Sequence, residues 1–310
     1  MKSVIVALSI LAAAFVAATA ASSRMNKYIM WRDLEVGEIE GKSNWGDGVI
    51  IVRQDGFGNS LLFKELWTWE KVYVPRDKPY ISFIGKEGEI ENEIPIITNN
   101  TKASDIDSNG QKLGTHNTYT NSAVPDGKGD QGVALRMDGD KAVLYRVRLL
   151  GYQDTLLDNR GTHFFYRCYI QGGVDFICGR GKSLYEECTL NSTRGGAIAA
   201  HKREENDETG FSFVGCKIKG LGPTLLGRAW GNYSRIVYSY CTMDDIIQPL
   251  GWSDWGDPSR QRTSMFGEYR CEGKGSNRSR RTQWSFSLKD EEAMTFLGRA
   301  FIKGYTWLAL

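Results

Sequence analysis

The chain has few prolines, few histidines and almost no net charge, and each shortage narrows what it can be. Seven prolines in 310 residues, against 35 glycines, leave no Pro-rich linker and suit many short strands joined by tight turns. The three histidines, His116, His163 and His201, have no evident serine or cysteine partner block. No Gly-x-Ser-x-Gly elbow occurs anywhere, so serine-hydrolase chemistry is poorly supported. The six cysteines fall at spacings that match no zinc site. A formal charge of +2 neither points to nucleic acid nor excludes a polyanionic substrate; solubility is the plainer reading. After the first twenty residues no run is apolar for long enough to span a bilayer.

What is present begins with a targeting signal. Lys2 precedes an apolar run from Val4 to Val16, and Ala18-Thr19-Ala20 supplies small residues for cleavage. Residues 1–20 therefore read as a secretory signal peptide, and 21–48 as a polar leader without periodicity. Four Asn-x-Ser/Thr sequons follow, at Asn99, Asn191, Asn232 and Asn277, as expected of a secreted glycoprotein. A hydrophobic content of 41% and a charged content of 25% are those of an ordinary globular protein, here one domain over 49–310.

An internal repeat organises that domain. Val147 aligns with Cys168, Leu149 with Ile170, Gly151 with Gly172 and Asp154 with Asp175. The same frame reaches Cys188, Cys216 and Cys241. A period of roughly twenty to twenty-eight residues is that of coil-stacking solenoids, each unit an alternating apolar strand followed by a Gly-containing turn. The register makes Cys168, Cys188, Cys216 and Cys241 an inward ladder of small thiols rather than disulfides, although connectivity is not a sequence property. It also stacks Asp154 and Asp175 ~4.8 Å apart, one coil above the other. Two carboxylates held that close split their pKa values into an acid and a base. The plainer alternative is two turn aspartates that cap backbone amides.

The blocks QGVALR at 131–136, GYQDTLLD at 151–158, VDFICG at 174–179 and LLGRAW at 225–230 resemble the signature blocks of plant-type pectin methylesterases. They stand in the family's order and spacing, and GWSDW at 251–255 and FGEY at 266–269 extend the match. The resemblance covers roughly residue 49 onward and implies a right-handed parallel β-helix, all-β, in a form without an inhibitor-like pro-domain. Its relatives carry an extra helix-and-strand segment between Phe63 and Val72 and a strand pair between Thr115 and Asn121. Each loss is about one repeat, so the solenoid can close over it. A final helix of about ten residues is expected after Ser287, begun by Asp290, Glu291 and Glu292 and stopped by Gly298.

The resemblance also assigns roles. Asp175 is the nucleophile toward a methyl-esterified galacturonate, and Asp154 protonates the departing methanol and then activates water. Gln131 and Gln153 donate to the oxyanion, with a structural Gln ladder as the competing reading. Arg228 pairs with Asp175. Trp230 offers a stacking face to a sugar ring, and Trp252 and Trp255 line the same groove unless they are core. Cys178 stands where the family has a substrate-contacting Phe, and Arg180-Gly181 replace an Asn-Ala pair; Cys178 borders the groove or is packed within. The implied reaction uses no metal or organic cofactor. The implied partners are methyl-esterified pectin and a proteinaceous pectinesterase inhibitor, acting on a monomer at the cell wall. Two rivals stay open. One is another pectin-active solenoid such as a polygalacturonase, which would also show paired carboxylates. The other is an inactive, shortened relative that binds pectin without hydrolysing it.

Overall fold

The computed structural model describes residues 131–308 throughout and, ahead of them, the strands between Val49 and Ile97 with a few flanking positions. The expected signal peptide, the leader, the Asn99 sequon and the 115–121 segment lie outside the described residues. Backbone contacts divide the chain into two units, Asn44–Ile302 and a second made of Met1–Ser43 with Lys303–Leu310. What is described of the second is a single 3-10 turn, Gly304–Thr306.

The first unit is a right-handed parallel β-helix of three sheets, with ten, seven and seven strands. Each coil contributes one strand to each sheet in turn. One full coil runs through Leu156–Asp158, Thr162–Tyr166 and Tyr169–Gly172, and the next through Ile177–Gly179, Lys182–Glu186 and Thr189–Ser192. The register matches the repeat: Leu149 pairs with Ile170, and Gln153 bridges Val174, the residues preceding the two aspartates.

One corner of the coil is a single residue in the left-handed conformation. Arg146, Arg167, Glu187, Tyr240 and Arg270 take φ between 46° and 55°, and Gly215 takes 63°. The residue after each turns inward: Val147, Cys168, Cys188, Cys216, Cys241 and Cys271. The inward thiols form the expected ladder with a fifth rung. All the cysteines are free, and the ladder thiols donate to carbonyls of the neighbouring coil, Cys216 Sγ to the Tyr185 oxygen at 3.3 Å and Cys271 Sγ to that of Tyr238 at 3.4 Å. Cys271 obeys the same pattern but lies thirty positions on, where an inserted loop hides the period. Beside this ladder runs an aromatic one, Phe165, Tyr185, Phe213 and Tyr238, with centroids 4.5, 4.6 and 4.5 Å apart. Each stacked pair contributes about 0.5–1.5 kcal/mol beyond its buried area.

Among the described residues, the strands ahead of residue 98 stack directly on those that follow residue 134. Val72–Val74 pairs directly with Leu135–Met137, Ser82–Ile84 with Ala142–Tyr145, and Ile96–Ile97 with Arg148–Leu150. The ten-stranded sheet ends on a short strand at each side. Val49–Arg53 folds back antiparallel on Asn59–Phe63, and Phe286–Ser287 pairs with Met265–Tyr269. The final helix is shorter than expected, Asp290–Met294. Its N-cap is Lys289, whose amide donates to Glu292 Oε2 at 2.8 Å, so Ser287 is left in the edge strand. Ser212 Oγ donates to the Phe296 carbonyl at 2.7 Å, which fixes the segment after the helix to the solenoid.

Candidate active site

The site is built on one seven-stranded sheet, and its two faces follow from alternation along each strand. Leu135, Leu156, Ile177, Ala199, Gly227 and Trp252 align across the coils as the inward row. Arg136, Leu157, Cys178, Ala200, Arg228 and Ser253 align as the outward row. Gly227 is required within: a Cβ there would meet Ile236 Cδ1 at 2.7 Å and Trp252 Cζ3 at 3.0 Å.

Asp154 and Asp175 sit at the corner that leads into this sheet, both in the left-handed region at φ 60° and 46°. Asp tolerates that conformation better than most residues, because its short polar side chain can hydrogen-bond locally. Asp154 N–H donates to the Val174 carbonyl at 3.1 Å, which stacks the two aspartates in adjacent coils. Asp175 is 3% exposed. Arg228 grips its carboxylate with both prongs, Nε to Oδ1 at 2.9 Å and a second guanidinium nitrogen to Oδ2. Burial raises the Asp175 pKa, and the hydrogen bonds and charge of Arg228 oppose that rise. Asp154 is half-buried and has no such clamp. Desolvation, then the Asp175 charge, push its pKa up to about 8, with Arg228 acting weakly the other way. One carboxyl is thus tuned to stay protonated at neutral pH, beside another whose burial is opposed by a bidentate arginine.

The remaining expected residues divide. Gln131 and Gln153 meet at the same corner, where Gly132 N–H donates to the Gln153 carbonyl at 3.1 Å. Both side chains are half-buried, on the coils of and above Asp154. Trp230 lies on the outward face, its ring nearly parallel to that of Trp255 at 6.5 Å. Trp255, 38% exposed, carries the Arg228 guanidinium over its ring at 3.9 Å. Asp175, Arg228, Trp255 and Trp230 therefore form one continuous run of contacts.

Two expected groove residues are not open to a ligand. Trp252 belongs to the inward row, is 2% exposed, stacks on Phe266 at 4.6 Å and donates its indole N–H to Glu268 at 3.4 Å. It is core, because its register places it beneath Gly227. Cys178 does point outward, but Val133, Leu157 and Ala200 enclose it, Trp230 packs on that cluster, and it is 2% exposed. It supports the Trp230 ring and offers no surface of its own. Burial also drives its thiol pKa well up, so it is not a nucleophile.

Sequence reasoning missed the buried group behind the site. Asp158 Oδ1 lies 2.5 Å from His163 Nδ1, and Tyr185 donates to Asp158 Oδ2 at 2.6 Å. His163 Nε2 reaches the Gly139 carbonyl at 2.7 Å. His163 thus has a hydrogen-bonding role, and its partner was visible only as the last Asp of the 151–158 block. This network also accounts for Gly181, because a Cβ there would lie 2.2 Å from Asp158 Oδ1. His201 is buried and held neutral, its pKa pushed down to about 3 by desolvation. Lys202 was missed as well; its ammonium stands over the Trp230 ring at 4.7 Å. Carrying the outward row two residues along the strand would have found it.

Comparison with known proteins converges on one family. The Pectinesterase family model matches residues 62–305. Pectinesterase QRT1 of Arabidopsis thaliana is 44% identical over 351 residues, covering 93% of this chain and 92% of its own. That alignment is longer than the 310 residues of this chain, so the relative has segments that this chain lacks. Pectinesterase 31 of the same plant is 37% identical over 268 residues, covering 78% and 83%. Among solved structures, a pectin methylesterase from carrot superposes with a TM-score of 0.66 at 28% identity, over 78% of this chain and 83% of that one. With the paired aspartates, the arginine clamp and the β-helix in place, the chain belongs to the pectinesterase family.

Proposed function

We propose that the protein is a pectin methylesterase that uses Asp175 as nucleophile. The observation that carries this reading is the unequal dyad: a buried carboxylate gripped by Arg228, stacked against a carboxyl whose pKa is pushed up to about 8. Asp175 attacks the carbonyl carbon of a methyl-esterified galacturonate, and the C=O electron pair becomes an oxyanion. The side-chain amides of Gln131 and Gln153 donate to that oxyanion without adding charge. Collapse breaks the bond to methoxide, which leaves as methanol with the proton of Asp154. The resulting aspartyl anhydride is opened by water, whose proton returns to Asp154, and the free galacturonate departs from a regenerated Asp175. Trp230 and Trp255 flank the reacting sugar.

The substrate is cell-wall homogalacturonan, reached by secretion through the signal at residues 1–20, and the enzyme acts as a monomer open to a proteinaceous inhibitor. A polygalacturonase would place its carboxylates to flank a glycosidic bond; the Arg228 clamp on Asp175 suits a nucleophile toward an ester. The test is to follow methanol and new reducing ends together on esterified homogalacturonan. Methanol without reducing ends is expected. Reducing ends without methanol would identify a glycosidase, and binding without either would identify an inactive relative.

A further inference from the structure

One arginine beside the site takes no part in the reaction derived above. Arg260 lies in the 3-10 turn Pro258–Arg262, which Asp257 caps by accepting the Ser259 N–H at 3.0 Å. Its guanidinium donates to the carbonyls of Ala229 at 2.7 Å and Trp230 at 3.1 Å. Those carbonyls lie just beyond the strand Leu225–Arg228, where pairing with Trp252–Ser253 has ended. Thr263 Oγ1 adds a third bond from the same loop, to the Asn232 carbonyl. Asp257 Oδ2 stands 3.2 Å from Arg260 Nε, an ion pair that aims the guanidinium.

The loop that Arg260 ties down is the one that carries Trp255. Asp254 closes it, accepting the Gly256 N–H at 2.9 Å and the Gln261 side-chain amide at 2.7 Å. The Trp255 ring supports the Arg228 guanidinium at 3.9 Å and faces Trp230 at 6.5 Å. Arg228 is therefore held between Asp175 on one side and a ring on a loop on the other. A loop with little apolar burial opens readily unless it is anchored. We propose that Arg260 is a positioning residue: by joining the Trp255 loop to the backbone that follows Arg228, it keeps the arginine fork on the nucleophile and both rings beside the sugar. The inference rests on the esterase reading above and adds a residue that acts through others.

The test measures methanol release across pH for the wild type, Arg260→Gln, Arg260→Lys and Ser212→Ala, with hydrogen exchange on each protein. Ser212→Ala removes the bond to the Phe296 carbonyl on a different sheet and shows what a loss of stability does by itself. In Arg260→Gln, kcat/KM should fall by about tenfold, within the range for a small misplacement at a distance from the chemistry. Its acidic limb should move to higher pH, because a looser Arg228 opposes the burial-driven rise of the Asp175 pKa less. Exchange should quicken at 229–232 and 252–256. Arg260→Lys keeps the charge and a donor and should recover most of each effect, and Ser212→Ala should leave the limb in place. An acidic limb in Arg260→Gln that coincides with that of the wild type overturns the proposal. So does exchange at those two segments that is no faster than in Ser212→Ala. If Arg260→Gln does not fold, Asp257→Asn is read in its place with the same outcomes, since it keeps a cap for Ser259 and removes the charge facing Arg260. If the wild type releases no methanol, it is the esterase reading that fails, and exchange alone then decides whether Arg260 holds the loop.

Discussion

Asp154→Asn should inactivate the enzyme and stabilise the fold, and the second effect can be worked out from the structure. The folded-state pKa of Asp154 is about 8, against an ordinary 3.8. A carboxyl whose pKa is raised on folding contributes fully below the unfolded value and becomes a liability as pH rises toward the folded one. Each pH unit between the two costs about 1.4 kcal/mol, which over this span amounts to about 4 kcal/mol at pH 7. Asp154 keeps some contact with solvent, and screening reduces that to about 1–3 kcal/mol. An amide carries no charge at any of these pH values and escapes the cost. It also tolerates the left-handed backbone at least as well as Asp, an advantage that does not vary with pH. Thermal melts of both proteins from pH 4 to pH 8 separate the two contributions. The difference in Tm should grow with pH, reaching roughly 2–5 °C more at pH 8 than at pH 4. A difference independent of pH would mean that Asp154 ionises as freely in the folded enzyme as outside it, and could not be the acid.

Arg228→Ala removes what opposes the burial-driven rise of the Asp175 pKa, so the carboxylate needed for attack forms only at higher pH; the acidic limb of kcat/KM against pH should move up. With the Trp255 contact also lost, kcat/KM should fall by about 10²-fold, as for loss of about 3 kcal/mol; an unmoved limb would separate Arg228 from the nucleophile. Cys178→Phe overfills the pocket formed by Val133, Leu157 and Ala200 and lifts Trp230, which should lower stability by about 1–3 kcal/mol and raise KM; an unchanged Tm with a lower KM would put Cys178 in the groove. Trp252→Ala should cost about 3–5 kcal/mol in stability by opening a core cavity, measured by denaturant unfolding. Reductant should leave the Tm unchanged, because all the cysteines are free thiols.

Legibility from sequence followed coil length. Where successive coils have equal lengths, as from Leu149 through Asp175, the residues that stack can be read directly, and the dyad with them. Between Ala199, Gly227 and Trp252 the coils lengthen unevenly, the period is lost, and a tryptophan in a groove-like block was placed on the wrong face. The same loss concealed Cys271. Cys178 was placed on the correct face, but its burial depends on Trp230 from two coils away, which alternation along one strand does not reveal. The Asp158–His163–Tyr185 group joins three strands through side chains, and no spacing rule connects them. The short helix shows a competition between local signals: Ser287 is a good cap, yet its pairing with the edge of the large sheet prevails and the helix starts after Lys289.

The central claim is that Asp175 attacks the ester while Asp154 carries the proton. Methanol release by the wild type, Asp175→Asn and Asp154→Asn on methyl-esterified homogalacturonan, with folding checked by melts, tests it most directly. The wild type should release methanol in step with new carboxylates. Each variant should lose a factor of about 10³ or more, and the double variant little beyond that, because the two groups act as a unit. A folded Asp175→Asn enzyme that keeps a tenth of the wild-type rate would contradict the account.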